Sequence, residues 1–253
     1  MRRKGCSERQ EKNMRDKELA IDWRKHICYS RQVKNVIQQR LAARYPDKEA
    51  EELWEKVQHQ YAEFLKDLPF LGGGKNTHNA TGGTYDCIAI FAYYEAVPDK
   101  PSVDELYEMN NEVFLPPFRF LGKVMDGNRN FLLRLMNIAF QRTAAKDRKI
   151  RDICPDGYIM ETEPFDKGNG IRYRFLRCPV AEFARRHGYM DLMPAFCNGD
   201  FPAFGFLYTT LIREHTCAEG SVCDYWIVGD KSPVAGRYRL IKDKKGFVVS
   251  RGK

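Results

Sequence analysis

The segment PDGYIMETEPF (155–165), DKGNG (166–170) and IRYRFLRCP (171–179) decides the fold class of this 253-residue chain. Its two arms alternate in polarity, the period of a strand with one buried face. The five residues between them carry Asp, Asn and two glycines, which accept the positive φ of a tight turn. A β-hairpin is therefore predicted, and the chain before it has a different period.

Upstream, Val33, Val36, Ile37, Leu41 and Tyr45 recur at helical spacing behind Ser30, an N-cap residue, and Pro46 ends the run. Asp47 opens a second helix with Ala50, Leu53, Trp54, Val57, Tyr61 and Phe64 on one face, and the short link predicts an antiparallel pair. Thr84–Val97 is apolar almost all round, the pattern of a buried helix. Ser102 caps another through Asn110, which Pro116-Pro117 forbids from continuing, and residues 128–146 form a longer amphipathic helix. Downstream, Pro179–Gly188 reads as a short helix, and Thr209–Thr216, Asp224–Val228 and Gly246–Val249 read as strands. The expected class is α+β: a helical N-terminal half packed on a C-terminal antiparallel sheet, in a single domain. Residues 1–28 are expected to be a basic, flexible segment, 29–228 the α+β domain, and 229–253 a basic segment with one strand.

Composition narrows the function classes. A hydrophobic fraction of 43% and an aromatic fraction of 13% are those of a globular protein. No apolar run approaches the roughly 18 residues needed to cross a bilayer. The start, MRRKGCSERQEK, lacks the apolar segment of a secretory signal, and eight irregularly spaced cysteines read as reduced thiols. A cytoplasmic location follows as an expectation. The net charge of +8 resides at the ends, with twelve Lys/Arg against five Asp/Glu in residues 1–40 and eight against two in residues 229–253. The stretch between is net acidic, unlike a nucleic-acid-reading surface. The expected partner is a small molecule rather than nucleic acid or membrane, with a homo-oligomer left open.

Reactive groups concentrate between Arg177 and Val228. Asp200, followed by Phe201-Pro202, reads as the N-cap of a short helix. Cys197 then sits just outside a helix N-terminus, where the dipole favours a thiolate and makes a nucleophile; a buried inert cysteine is the other reading. His215 is a candidate general base and Arg213 a carboxylate clamp, with a hydrogen-bonded histidine and a surface ion pair as their plainer alternatives. Cys217-x5-Cys223 raises a zinc site with Cys178, His215 or Asp200, but there is no CxxC pair, and no metal or other cofactor is assigned. In the loop LPFLGGGKNTHNATGG (68–83), Lys75 and Asn76 offer donors to an anion, although neither a P-loop nor G-x-G-x-x-G is present. A connector and a substrate-facing loop both remain open readings.

The ordered set Pro69, Gly72, Gly73, Cys178, Pro179, Cys197, Asp200, Arg213, Thr216, Gly220, Cys223, Asp224 and Tyr225 resembles the L-2-amino-thiazoline-4-carboxylic acid hydrolase family of bacteria. The chain departs from that pattern with Cys217 in place of an aliphatic residue and Tyr225-Trp226 in place of Phe-Arg. The resemblance implies hydrolysis of a C–N or C–S bond in a small, carboxylate-bearing cyclic amidine. For that reaction the candidate catalytic residues are Cys197, Asp200 and His215, and the candidate substrate contacts are Arg213, Lys75, Asn76, Cys223 and Asp224. Either Cys197 attacks the amidine carbon or Asp200 activates water. A weaker similarity to 4-vinyl-reductase-type domains implies instead a non-enzymatic sensor that binds a small molecule or zinc.

Overall fold

The structure, a computed structural model, describes residues 29–69, 71, 83–152, 155–220 and 222–253. The expectations for residues 1–28 and for Lys75 and Asn76 lie outside these residues. The chain divides into two compact units, one running to Pro98 and taking in Ile150–Gly157, the other comprising Asp99–Lys149 and Tyr158–Lys253.

The first unit is helical. Helix α1 (Arg31–Arg44) starts at Ser30, whose hydroxyl accepts the Val33 N–H at 3.2 Å. It buries Val33, Val36, Ile37 and Leu41, the positions expected from their spacing. Helix α2 (Asp47–Asp67) buries Leu53, Val57, Tyr61, Phe64 and Leu65. Helix α3 (Thr84–Ala96) is buried without interruption from Thr84 to Tyr93, which is why its sequence shows no polar face, and it packs on α1 and α2.

The second unit begins with α4 (Val103–Phe114), opened by a capping box in which Ser102 and Glu105 exchange hydrogen bonds with each other's backbone N–H. The Pro116-Pro117 pair, expected only to stop a helix, also starts α5 (Pro116–Leu121). Proline is well suited to a first turn, where its missing N–H has no helical partner. Helix α6 (Asn130–Ile150) leads to the predicted hairpin, β1 (Ile159–Thr162) and β2 (Ile171–Arg177). In its turn the Asp166 carboxylate accepts the Gly168 and Asn169 N–H groups. Helix α7 (Pro179–His187), a 3-10 turn (Met190–Leu192), α8 (Met193–Cys197) and α9 (Asp200–Gly205) then precede β3 (Thr209–Ile212) and β4 (Cys223–Gly229).

These strands form one antiparallel sheet in the order β1-β2-β4-β3. The chain is thus α+β, helices first and antiparallel sheet after. The register sets Tyr173 opposite Tyr225 and Phe175 opposite Cys223. Alternation buries Tyr173, Cys223, Tyr225 and Ile227 on one face and leaves Arg172 and Arg174 exposed on the other. Strand β3 ends at Ile212 instead of Thr216: beyond it the Glu214 and His215 N–H groups go to the Asp224 carboxylate of β4 instead of to a strand partner. The C-terminal segment forms a two-stranded hairpin, β5 (Tyr238–Lys242) and β6 (Val248–Gly252), rather than one strand. Among the described residues, no helix is long and apolar enough to cross a membrane.

Candidate functional site

The second unit holds a buried charged centre built where β3 gives way to loop. Arg213 is wholly buried. Its Nη1 donates to Asp200 Oδ2 at 2.7 Å and its Nη2 to the Cys197 carbonyl at 2.9 Å. The guanidinium carbon lies 4.8 Å from the Phe201 ring centre and 5.7 Å from that of Tyr225. Its backbone is fixed by Ser250, whose hydroxyl accepts the Arg213 N–H at 3.1 Å. The Tyr225 hydroxyl donates to the same Asp200 Oδ2 at 2.7 Å, and its ring stacks on Tyr173 with centres 4.5 Å apart.

Asp200 is the first residue of α9, and its N-cap is Gly199. The expectation that the Asp200 side chain caps the helix is corrected: the carboxylate points to Arg213 and Tyr225, which offer a charge and a hydroxyl in place of one N–H. Oδ2 takes both bonds, and Oδ1 has no hydrogen-bond partner among the described residues. Burial pushes the Asp200 carboxyl above its ordinary value, while Arg213 and Tyr225 hold it back. Burial also works against the Arg213 cation, but Tyr225, Asp200, Cys197 and Cys223 around it keep it firmly protonated.

The five described cysteines are free thiols. Cys197 is the last residue of α8, at the negative end of that helix dipole, and it also lies two residues before Gly199, the N-cap of α9. Burial pushes its thiol well above the ordinary value, with Arg213 acting in the opposite sense. Burial likewise pushes the Cys178 thiol up to about 12. Cys223 differs. Its Sγ accepts the Cys217 N–H at 3.1 Å, while the Cys217 thiol lies 3.3 Å from the Phe175 carbonyl. A hydrogen bond from the Cys217 thiol lowers the Cys223 pKa against the effect of burial, and the Cys217 N–H and Arg213 act in the same direction. Cys217 moves oppositely and stays a thiol.

The structure does not bring the other expected residues into this centre. His215 is exposed on the loop after Arg213, its Nδ1 3.7 Å from Asp224 Oδ2. Asp224 alternates with Cys223 and Tyr225, and so belongs to the outward face of β4. Its carboxylate accepts the Glu214 N–H at 3.2 Å and the His215 N–H at 2.7 Å, clasping the loop that carries Arg213. A cleft of about 530 Å³ opens mainly over outward-facing residues, among them Glu161, Arg172, Arg174, Asp224 and Trp226. Arg172 there covers the Trp226 ring at 3.9 Å, and Arg174 pairs with Glu161 at 2.7 Å. Among the described residues, no three His, Cys, Asp or Glu side chains converge to hold a metal ion.

Tyr225 is the functional candidate that residue-level reading left without a role. Its signal was the alternation of β4, which puts it on the same face as Cys223.

Neither the curated proteins nor the solved structures contain a match to this chain. A family model described as L-2-amino-thiazoline-4-carboxylic acid hydrolase matches residues 85–227. That span exceeds half of the chain and includes Cys178, Cys197, Asp200, Arg213, Cys223 and Tyr225. The chain belongs to the L-2-amino-thiazoline-4-carboxylic acid hydrolase family.

Proposed function

We propose that this protein hydrolyses a small, carboxylate-bearing cyclic amidine, adding water at the amidine carbon and opening the ring at a C–N or C–S bond. Its free thiols suit a reducing, cytoplasmic setting. The observation that carries the reading is the Arg213–Asp200–Tyr225 centre, in which one carboxylate oxygen is doubly held and the other is left open.

Opening an amidine ring needs a group that gives a proton to the departing heteroatom and takes one from water. A carboxyl raised by burial exchanges protons near neutrality more readily than an ordinary carboxylate. Asp200 meets that requirement, with Oδ1 available and Oδ2 anchored. Arg213 and Tyr225 position Asp200 and keep its ionised form accessible. The Arg213 side chain is wholly buried and committed to Asp200 and Cys197 through its two terminal nitrogens, so its part is to hold Asp200 rather than to meet the substrate.

The test is ring opening by the purified full chain on 2-amino-thiazoline-4-carboxylate and a panel of cyclic amidines and small lactams, followed by mass spectrometry for the gain of one water. Turnover on a carboxylate-bearing amidine is expected, with a loss of roughly 10²–10⁴-fold in Asp200→Asn. No turnover on any member, or undiminished turnover in Asp200→Asn, overturns the reading.

A further inference from the structure

Resting on that hydrolase reading, we infer that Cys223 is the nucleophile of the reaction and that the Cys217 N–H and the Arg213 cation hold it as a thiolate. Three independent placements support the assignment. Cys223 shares the buried face of β4 with Tyr225, which hydrogen-bonds Asp200, so the thiol and the proton-transfer group belong to the same face of the sheet. The Cys217 N–H is delivered to Sγ at 3.1 Å by the 3-10 turn Cys217–Glu219, and an N–H donor to sulfur favours the charged form. Finally, among the described residues, two wholly buried side chains of the adjoining segment carry polar atoms without a hydrogen-bond partner, Arg213 Nε and Thr216 Oγ1, and buried polar atoms are seldom left unpaired.

The other thiols are less suited. Cys197 and Cys178 are pushed up by burial, with no N–H bond to Cys197 sulfur that offsets it. Cys217 serves as the donor. Cys223 is the cysteine of the cluster whose surroundings favour the thiolate.

The chemistry balances without an external oxidant or reductant. The Cys223 thiolate forms an S–C bond to the amidine carbon, and the C=N electron pair moves to nitrogen. That pair re-forms the C=N bond as the bond from the carbon to a ring heteroatom breaks, and the departing atom takes a proton from Asp200. Water then adds to the same carbon, the C=N pair moves to nitrogen again, and one water proton goes to Asp200. The C–S bond to Cys223 breaks and returns the thiolate, while the second water proton passes to that nitrogen, leaving a carbonyl in the product.

Iodoacetamide labelling of the full chain at neutral pH, mapped by peptide mass spectrometry, reads the thiolate independently of turnover. Cys223 is expected to label about tenfold faster than Cys197 and Cys178, and to be protected by 2-amino-thiazoline-4-carboxylate. Cys223→Ser is expected to lose at least about 10²-fold in ring opening and to show no covalent adduct under acid quench. If that variant fails to fold, labelling of the unaltered chain still decides. Faster labelling of Cys197, or full ring opening in Cys223→Ser, overturns the nucleophile and leaves the hydrolase reading standing. Preferential labelling of Cys223 without ring opening of any amidine overturns the hydrolase reading, and the nucleophile with it, while keeping the activated thiol.

Discussion

The Arg213 guanidinium, with none of its side chain in solvent, donates to an Asp200 carboxylate that keeps 20% of its own side-chain surface exposed. The pair is therefore asymmetric: the cation is sealed in and the anion faces the way out. An ion pair held only for stability gains nothing from leaving one oxygen open, whereas a proton-transfer group requires it.

Replacing Arg213 by Met keeps much of the side-chain volume and removes the charge. Asp200 is then left half-buried without its cation, and the Cys197 carbonyl loses its donor. Breaking a buried pair from one side costs about 3–5 kcal/mol. Urea unfolding of Arg213→Met is expected to show a loss of that order. Arg213→Lys is expected to recover only part of it, because an ammonium does not reproduce the two diverging N–H bonds.

The pH dependence follows from Asp200. Its folded pKa lies above the ordinary value, so the folded state holds this proton more tightly than the unfolded chain does. Its contribution to stability is full below the unfolded pKa and falls as pH rises through the folded one. Ring opening begins with Asp200 giving up its proton, so turnover needs the protonated carboxyl, and its basic limb is displaced upward from the ordinary carboxylate range. Tyr225→Phe keeps the stack on Tyr173 but removes a hydrogen bond to the ionised form. Its basic limb in kcat/KM is expected to move to still higher pH, and an unchanged limb would sever Tyr225 from the titration.

The residue types in this centre were legible in the sequence, but their connections were not. Asp200 and Arg213 stand out as charges in an apolar stretch, yet Cys197 and Asp200 lie at the junction of two short helices, and spacing alone does not tell the end of one from the start of the next. The hairpin at 159–177 and the Ser30 and Ser102 caps were readable because local pattern and packing agree there. Strand β5 has no buried residue, so its sequence carries no alternation to detect. Asp224 looked like a ligand-binding carboxylate, but its partners are backbone N–H groups, which no side-chain pattern reveals.

Asp224→Ala tests that structural role. The Glu214 and His215 N–H groups lose their acceptor, and the loop leading from Arg213 to Cys217 loses its clasp. A decrease of about 1–3 kcal/mol in unfolding free energy is expected. Asp224→Asn, which retains one carbonyl oxygen, is expected to lose less. Equal losses in the two variants would show that charge, rather than the hydrogen bonds, holds the loop.

Two glycines separate backbone strain from steric exclusion. Gly170 has φ +77° at the end of the hairpin turn, and a Cβ there would lie 2.2 Å from the Ile227 carbonyl oxygen of β4. Gly220 has a similar φ of +83°, but a Cβ would meet nothing within 4 Å. Gly220→Ala is therefore expected to cost only the left-handed strain, about 1–2 kcal/mol. Gly170→Ala carries that cost and also pushes β2 off β4 at the Ile171–Ile227 pair, on the face that presents Tyr173 and Tyr225. Thermal unfolding is expected to place Gly170→Ala well below Gly220→Ala, with the Tyr173–Tyr225 stack, and hence the hydroxyl on Asp200, displaced. Equal melting temperatures for the two variants would mean that β2 and β4 yield without loss, and that the register between them is not what positions Tyr225.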